Sequence, residues 1–74
     1  MENRIKKVMS EVLDINIEEI TDSTSPDLIE SWDSLKHMNL IVALEEEFSI
    51  EFRDDDLENL LNFKLIKITI EELL

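Results

Sequence analysis

The sequence predicts an all-α protein, a small four-helix bundle of three main helices and a short third one, with a long loop between helices 1 and 2. Three observations carry that prediction. Apolar residues recur at helical spacing in three separate stretches. The segment between the first two stretches concentrates turn formers around Pro26, which no helix interior tolerates. The 74 residues form one domain, spanning 1–74, and a chain this short buries only about 60% of the surface it exposes when unfolded.

The first helix spans residues 3 to 14. Ile5, Val8, Met9, Val12 and Leu13 make one apolar stripe, and Glu2, Arg4, Lys6, Lys7 and Glu11 fill the opposite face. The connection "INIEEITDSTSPDLIESW" follows, at 15 to 32. Asp22, Ser23, Thr24, Ser25 and Pro26 favour turns. Ile15, Ile17, Ile20, Leu28 and Ile29 are too many apolar residues for a free loop, so they are expected to pin it onto the helices.

The second helix runs from about Asp33 to Glu47. Leu40, Leu44 and Phe48, with Ile41 beside them, mark one stripe, and Leu35, Met38 and Val42 a second. Together these are wider than one core-facing side needs. Either both sides are buried or one is exposed for a partner. "SIEF" at 49 to 52 is a short extended link. "RDDDLENLL", from Arg53, is a brief third helix with Asp54 near its N-cap. The last helix runs from about Phe63 to Leu74, with Asn62 as N-cap and Phe63, Ile66, Ile70, Leu73 and Leu74 facing inward. Its Ile68, Thr69 and Ile70 also favour strands. With no glycine in the chain, no helix can end in the usual glycine cap.

Composition excludes whole classes of function. There is no cysteine, hence no disulfide, thiolate metal site or cysteine nucleophile, and any thiol chemistry must use a thiol from elsewhere. The net charge of −12 repels nucleic acid and anionic membranes and suits basic protein surfaces. No stretch approaches the roughly 20 apolar residues of a membrane span, and the N-terminus lacks the apolar run of a signal peptide. These features point to a cytoplasmic protein. The acids "DDDLEN" lack the spacing and central glycine of a calcium loop, so no metal site is expected.

Asp33, Ser34 and His37 stand together at the start of the second helix. They are the residue types of a hydrolase triad, but adjacent Asp33 is badly placed to orient the far imidazole nitrogen, and no oxyanion hole is evident. Asp and Ser are also ordinary N-caps, though Lys36 and His37 stand where a capping box needs Glu or Gln. A third use is attachment, because backbone N–H groups and the helix dipole favour an anion such as a phosphate ester on Ser34.

The wider pattern separates these uses. "DSLKHMNLIVALEEEFSIEF", residues 33 to 52, resembles the acyl carrier protein family. The family opens its second helix with Asp-Ser-Leu. A leucine follows five positions later, here Leu40, then the "ALEEEF" of Ala43 to Phe48 and an alternating apolar link, here Ile50 and Phe52. The acidic Asp54 to Asp56, the first-helix stripe and the loop pins extend the likeness over nearly the whole chain. The resemblance implies a carrier that is not an enzyme. A separate phosphopantetheinyl transferase moves 4′-phosphopantetheine from coenzyme A onto the serine that matches Ser34, and Asp33 presents the site. The arm's thiol then holds acyl groups as thioesters for loading, condensing or transferring enzymes of fatty acid, polyketide or related synthesis. An aminoacyl or peptidyl carrier of a nonribosomal-type pathway would use the same serine. A rival of another class is an unmodified acidic adaptor.

Ser31 stands where the family commonly has glycine, Arg53 where proline is frequent, and Lys36 and His37 make the first turn basic. Trp32, directly before Asp33, is either a loop plug or a contact surface. His37 is either part of a docking surface or a solvated side chain. Glu45, Glu46, Glu47, Glu51, Asp54, Asp55, Asp56 and Glu58 form an acidic run broken only by Arg53, which suits docking onto basic partner surfaces. Leu35, Met38 and Val42 would be the apolar centre of that contact, with Asn39, Glu45 and Glu46 beside it, on a protein expected to be a monomer.

Overall fold

A computed structural model describes residues 2–74. Helix α1 is Glu2–Leu13, α2 is Ser34–Phe48, α3 is Asp54–Leu57 and α4 is Phe63–Leu73, with a short 3-10 turn at Ile17–Glu19 inside the long loop. The bundle is all-α, as its three periodic stretches require. Residues 68 to 70 are helical despite their strand preference, because Thr69 and Ile70 are buried and the Thr69 hydroxyl donates to the Leu65 carbonyl at 2.8 Å.

The core is built from one stripe of each main helix. Ile5, Met9 and Leu13 of α1 meet Leu40, Ile41, Leu44 and Phe48 of α2 and Phe63, Ile66 and Ile70 of α4, with Ile20, Trp32, Phe52 and Leu60 filling between them. Each large side chain so buried contributes about 1.5–3 kcal/mol. Helices α1 and α2 run antiparallel. Arg4, at the start of α1, binds Glu47 at the end of α2 (Nε to Oε2, 3.0 Å), with its guanidinium 4.5 Å from the centroid of the Phe48 ring.

Helix ends manage without glycine by placing other residues in the left-handed region. Asp14 (φ 55°) ends α1 and Ser49 (φ 53°) ends α2. In each case the next N–H closes the last turn: Ile15 onto Ser10 and Ile50 onto Glu45, both at 3.1 Å. Helix α3 has its N-cap at Arg53, with Asp54 directly after it as expected. Asp56 Oδ2 accepts from the Arg53 N–H at 3.1 Å, which is the half of a capping box an acidic third residue can supply. Asn62 caps α4 as expected, its Oδ1 accepting from Leu65 N–H at 2.8 Å.

The long loop is held by fewer side chains than expected. Ile20 is buried and Ile15 and Ile29 pack against the core, but Ile17 and Leu28 are exposed, and Leu74 is likewise exposed rather than inward. Backbone bonds supply what the two loop residues do not. The carbonyls of Thr24 and Asp22 accept from Phe63 and Lys64 N–H at 2.9 and 3.2 Å, occupying the orphan donors of α4's first turn. Ser31 Oγ donates to the Leu13 carbonyl at 2.7 Å, fastening the loop's end to the end of α1 and setting where α2 begins. No helix among the described residues is long and apolar enough to cross a membrane.

Candidate functional site

The start of α2 is shaped by a cap and a plug. Asp33 is extended, and its Oδ1 accepts from Lys36 N–H at 2.8 Å while its carbonyl accepts from His37 N–H at 2.8 Å. Ser34 is therefore the first helical residue, exposed at the end where N–H groups and the dipole favour negative charge. Beneath it lies Trp32, only 2% exposed. Trp32 is thus the plug of the two uses expected for it.

His37 is half-buried on the wall of an open cleft rather than free in solvent. Its Nδ1 accepts from the Trp32 indole Nε1–H at 3.0 Å, and the rings stack with centroids 6.0 Å apart and planes at 28°. An indole nitrogen can only donate, so Nδ1 carries no proton and Nε2 does in the neutral ring. Partial burial lowers the imidazole pKa, which favours the neutral ring.

This arrangement disposes of the triad. Asp33 is engaged with its own helix's backbone, and His37 would present Ser34 with a donor rather than a base. A nucleophile needs the opposite.

Beside Ser34 is a cleft of about 710 Å³, open to solvent. Trp32, Ser34, His37 and Met38 form one wall and Leu57 and Leu61 the other, with Pro26 and Asp27 from the loop. The far wall escaped the sequence reading. Leu60 and Leu61 are adjacent, and only packing shows that Leu60 turns inward while Leu61 remains exposed. On α2 the second apolar stripe is the exposed one: Leu35 is 70%, Met38 60% and Val42 50% accessible. Asn39 and Glu46 are exposed beside it. Glu45 is half-buried, and its Oε2 accepts from Phe52 N–H at 2.9 Å, so this acid also anchors the link to α3.

Comparison with known proteins gives consistent relatives. Residues 3–64 match a family model described as a phosphopantetheine attachment site. The acyl carrier protein of Buchnera aphidicola subsp. Schizaphis graminum (strain Sg) is 47% identical over 62 residues, covering 81% of this chain and 76% of that one. That of Buchnera aphidicola subsp. Acyrthosiphon pisum (strain Tuc7) is also 47% identical over 62 residues, covering 81% and 75%. The solution structure of holo acyl carrier protein from Geobacter metallireducens superposes with a TM-score of 0.88 at 32% identity, covering 97% of this chain and 83% of that chain.

Proposed function

The chain belongs to the acyl carrier protein family, and from that premise we propose that Ser34 is the residue that takes up the 4′-phosphopantetheine arm. The observation that carries this is the position of Ser34: the first residue of α2, exposed, after a capping Asp33 and beside an open cleft whose far wall is apolar. The residues fit the group. The hydroxyl is reachable, the helix end favours the phosphate charge, and the cleft and the stripe beside it have room for a long flexible arm. In attachment, Ser34 Oγ loses its proton and forms the phosphoester bond, while the P–O bond to the nucleotide half of coenzyme A breaks and that half leaves. The bound arm supplies a thiol that carries acyl groups as thioesters, which a chain without cysteine cannot supply itself.

The protein in this reading is a single-domain, monomeric, cytoplasmic carrier, and not a catalyst. Its partners are a phosphopantetheinyl transferase and acyl-handling enzymes of fatty acid, polyketide or related synthesis. Leu35, Met38 and Val42 give them an apolar centre, and Asn39, Glu45 and Glu46 a polar and acidic rim. Asp33 presents the serine by fixing the helix start.

The test is incubation with coenzyme A, magnesium and a broad-range transferase, read as intact mass. A gain that disappears in Ser34→Ala is expected. No gain with any transferase would favour the unmodified adaptor, and a gain that persists in Ser34→Ala would move the site elsewhere.

A further inference from the structure

We infer that His37 is a binding residue for the arm: its Nε2–H donates to a phosphate oxygen of the group carried by Ser34. This rests on the attachment reading for Ser34 and adds a role for the side chain one turn further on.

Position comes first. Ser34 and His37 are three residues apart on α2, where side chains neighbour each other at about 5–6 Å between Cβ atoms. Helical side chains lean toward the N-terminus, so the His37 ring lies over the turn that holds Ser34. Both residues line the same cleft.

The tautomer comes second. A neutral imidazole offers one donor and one acceptor. The buried Trp32 occupies the acceptor with its Nε1–H at 3.0 Å and holds the ring by stacking. The remaining nitrogen must then be the donor. No side-chain nitrogen or oxygen among the described residues is both buried and unpartnered, and Nε2 has no protein acceptor among them, so it retains access to solvent on a residue that lines the cleft. Structural support of Trp32 needs Nδ1 alone. It leaves Nε2–H as an unpaired donor on a residue that lines the same cleft as Ser34.

The other charged groups lining the cleft are Asp27 from the loop and Asp33 on the first wall, while Leu57, Leu60 and Leu61 opposite carry no charge. A phosphodiester would bring a further anion against a ring whose protonation is opposed by burial and by the Trp32 donor on Nδ1. Arrival of the arm should therefore shift the imidazole's titration.

The experiment compares the full chain before and after modification, with intact mass certifying conversion. Nitrogen-15 spectra of the imidazole and phosphorus-31 spectra of the arm are followed from about pH 8 to pH 5. In the unmodified protein Nε2 is expected to carry the proton. In the modified protein the imidazole midpoint is expected to rise by about one pH unit, a tenfold change in proton affinity. A phosphodiester does not itself titrate in this range, so its phosphorus resonance is expected to move through the same midpoint. His37→Gln retains an acceptor for Trp32 and an amide donor but no titration, and should abolish that movement. A mass gain with equal midpoints and a flat phosphorus resonance would overturn this inference alone. Absence of any mass gain would overturn the attachment reading and this one with it.

Discussion

The indole nitrogen of Trp32 donates to Nδ1 of His37 across 3.0 Å, five residues along the chain. One residue is the last buried position of the loop and the other sits in the first turn of α2. The bond therefore ties the loop to the helix at the point where Ser34 is displayed. It also gives a half-buried histidine a single tautomer, because the partner is a group that can only donate.

Trp32→Phe should keep most of the plug and remove the donor, lowering stability by about 1 kcal/mol. Trp32→Ala should cost about 3–5 kcal/mol, as emptied aromatic sites do. Denaturant unfolding checks both. Wild-type tryptophan fluorescence should shift to the red on unfolding, since this one indole is buried in the fold.

The His37 pKa lies below its ordinary value of about 6.5 because burial disfavours the cation. Between the folded value and about 6.5 the unfolded chain binds more protons, so stability rises with pH in that window. It is fully present above about 6.5 and is lost as pH falls toward the folded value. The difference between wild type and His37→Gln, measured by melting at a series of pH values, should show this slope. A constant difference would contradict it.

Asp33→Ala should destabilise the protein by about 1 kcal/mol, because it removes an N-cap acceptor. Ser34→Ala should stay within about 0.5 kcal/mol, since the side chain is exposed. Melting curves of the two variants separate loss of the helix start from loss of the hydroxyl.

Ser49→Gly should stabilise the protein by roughly 1 kcal/mol, because Ser49 holds a left-handed conformation that disfavours a Cβ. Thermal unfolding decides it, and a lowered melting temperature would mean that the serine side chain has an unrecognised role at the end of α2.

Added salt or magnesium should raise the melting temperature, because both screen the repulsion within a chain of net charge −12. An unchanged or lower value would show that this repulsion is not limiting.

Much of this molecule was legible in its residues. Three stripes at helical spacing forecast three main helices, and Asn62 marked the start of α4. Asp33-Ser34-Leu35, followed by Leu40 and the segment to Phe48, points to the family from sequence alone. Pattern could not settle which of α2's two stripes is exposed, because Leu35, Met38 and Val42 are as apolar as Leu40, Leu44 and Phe48. Only packing against α1 and α4 buries the second set and exposes the first. Ile17 and Leu28 were expected to pin the loop, yet carbonyls of Asp22 and Thr24 help to hold it, and such backbone bonds leave no trace in side-chain chemistry.

The helices, the missing thiol, the strong negative charge and the serine at a helix start follow from local periodicity, composition and capping, and so can be read along the chain. The contact made by His37 came only from the three-dimensional packing. Its partner Trp32 lies across a helix boundary, and its protonation depends on burial and on which atom faces the ring, neither of which spacing along a chain can specify.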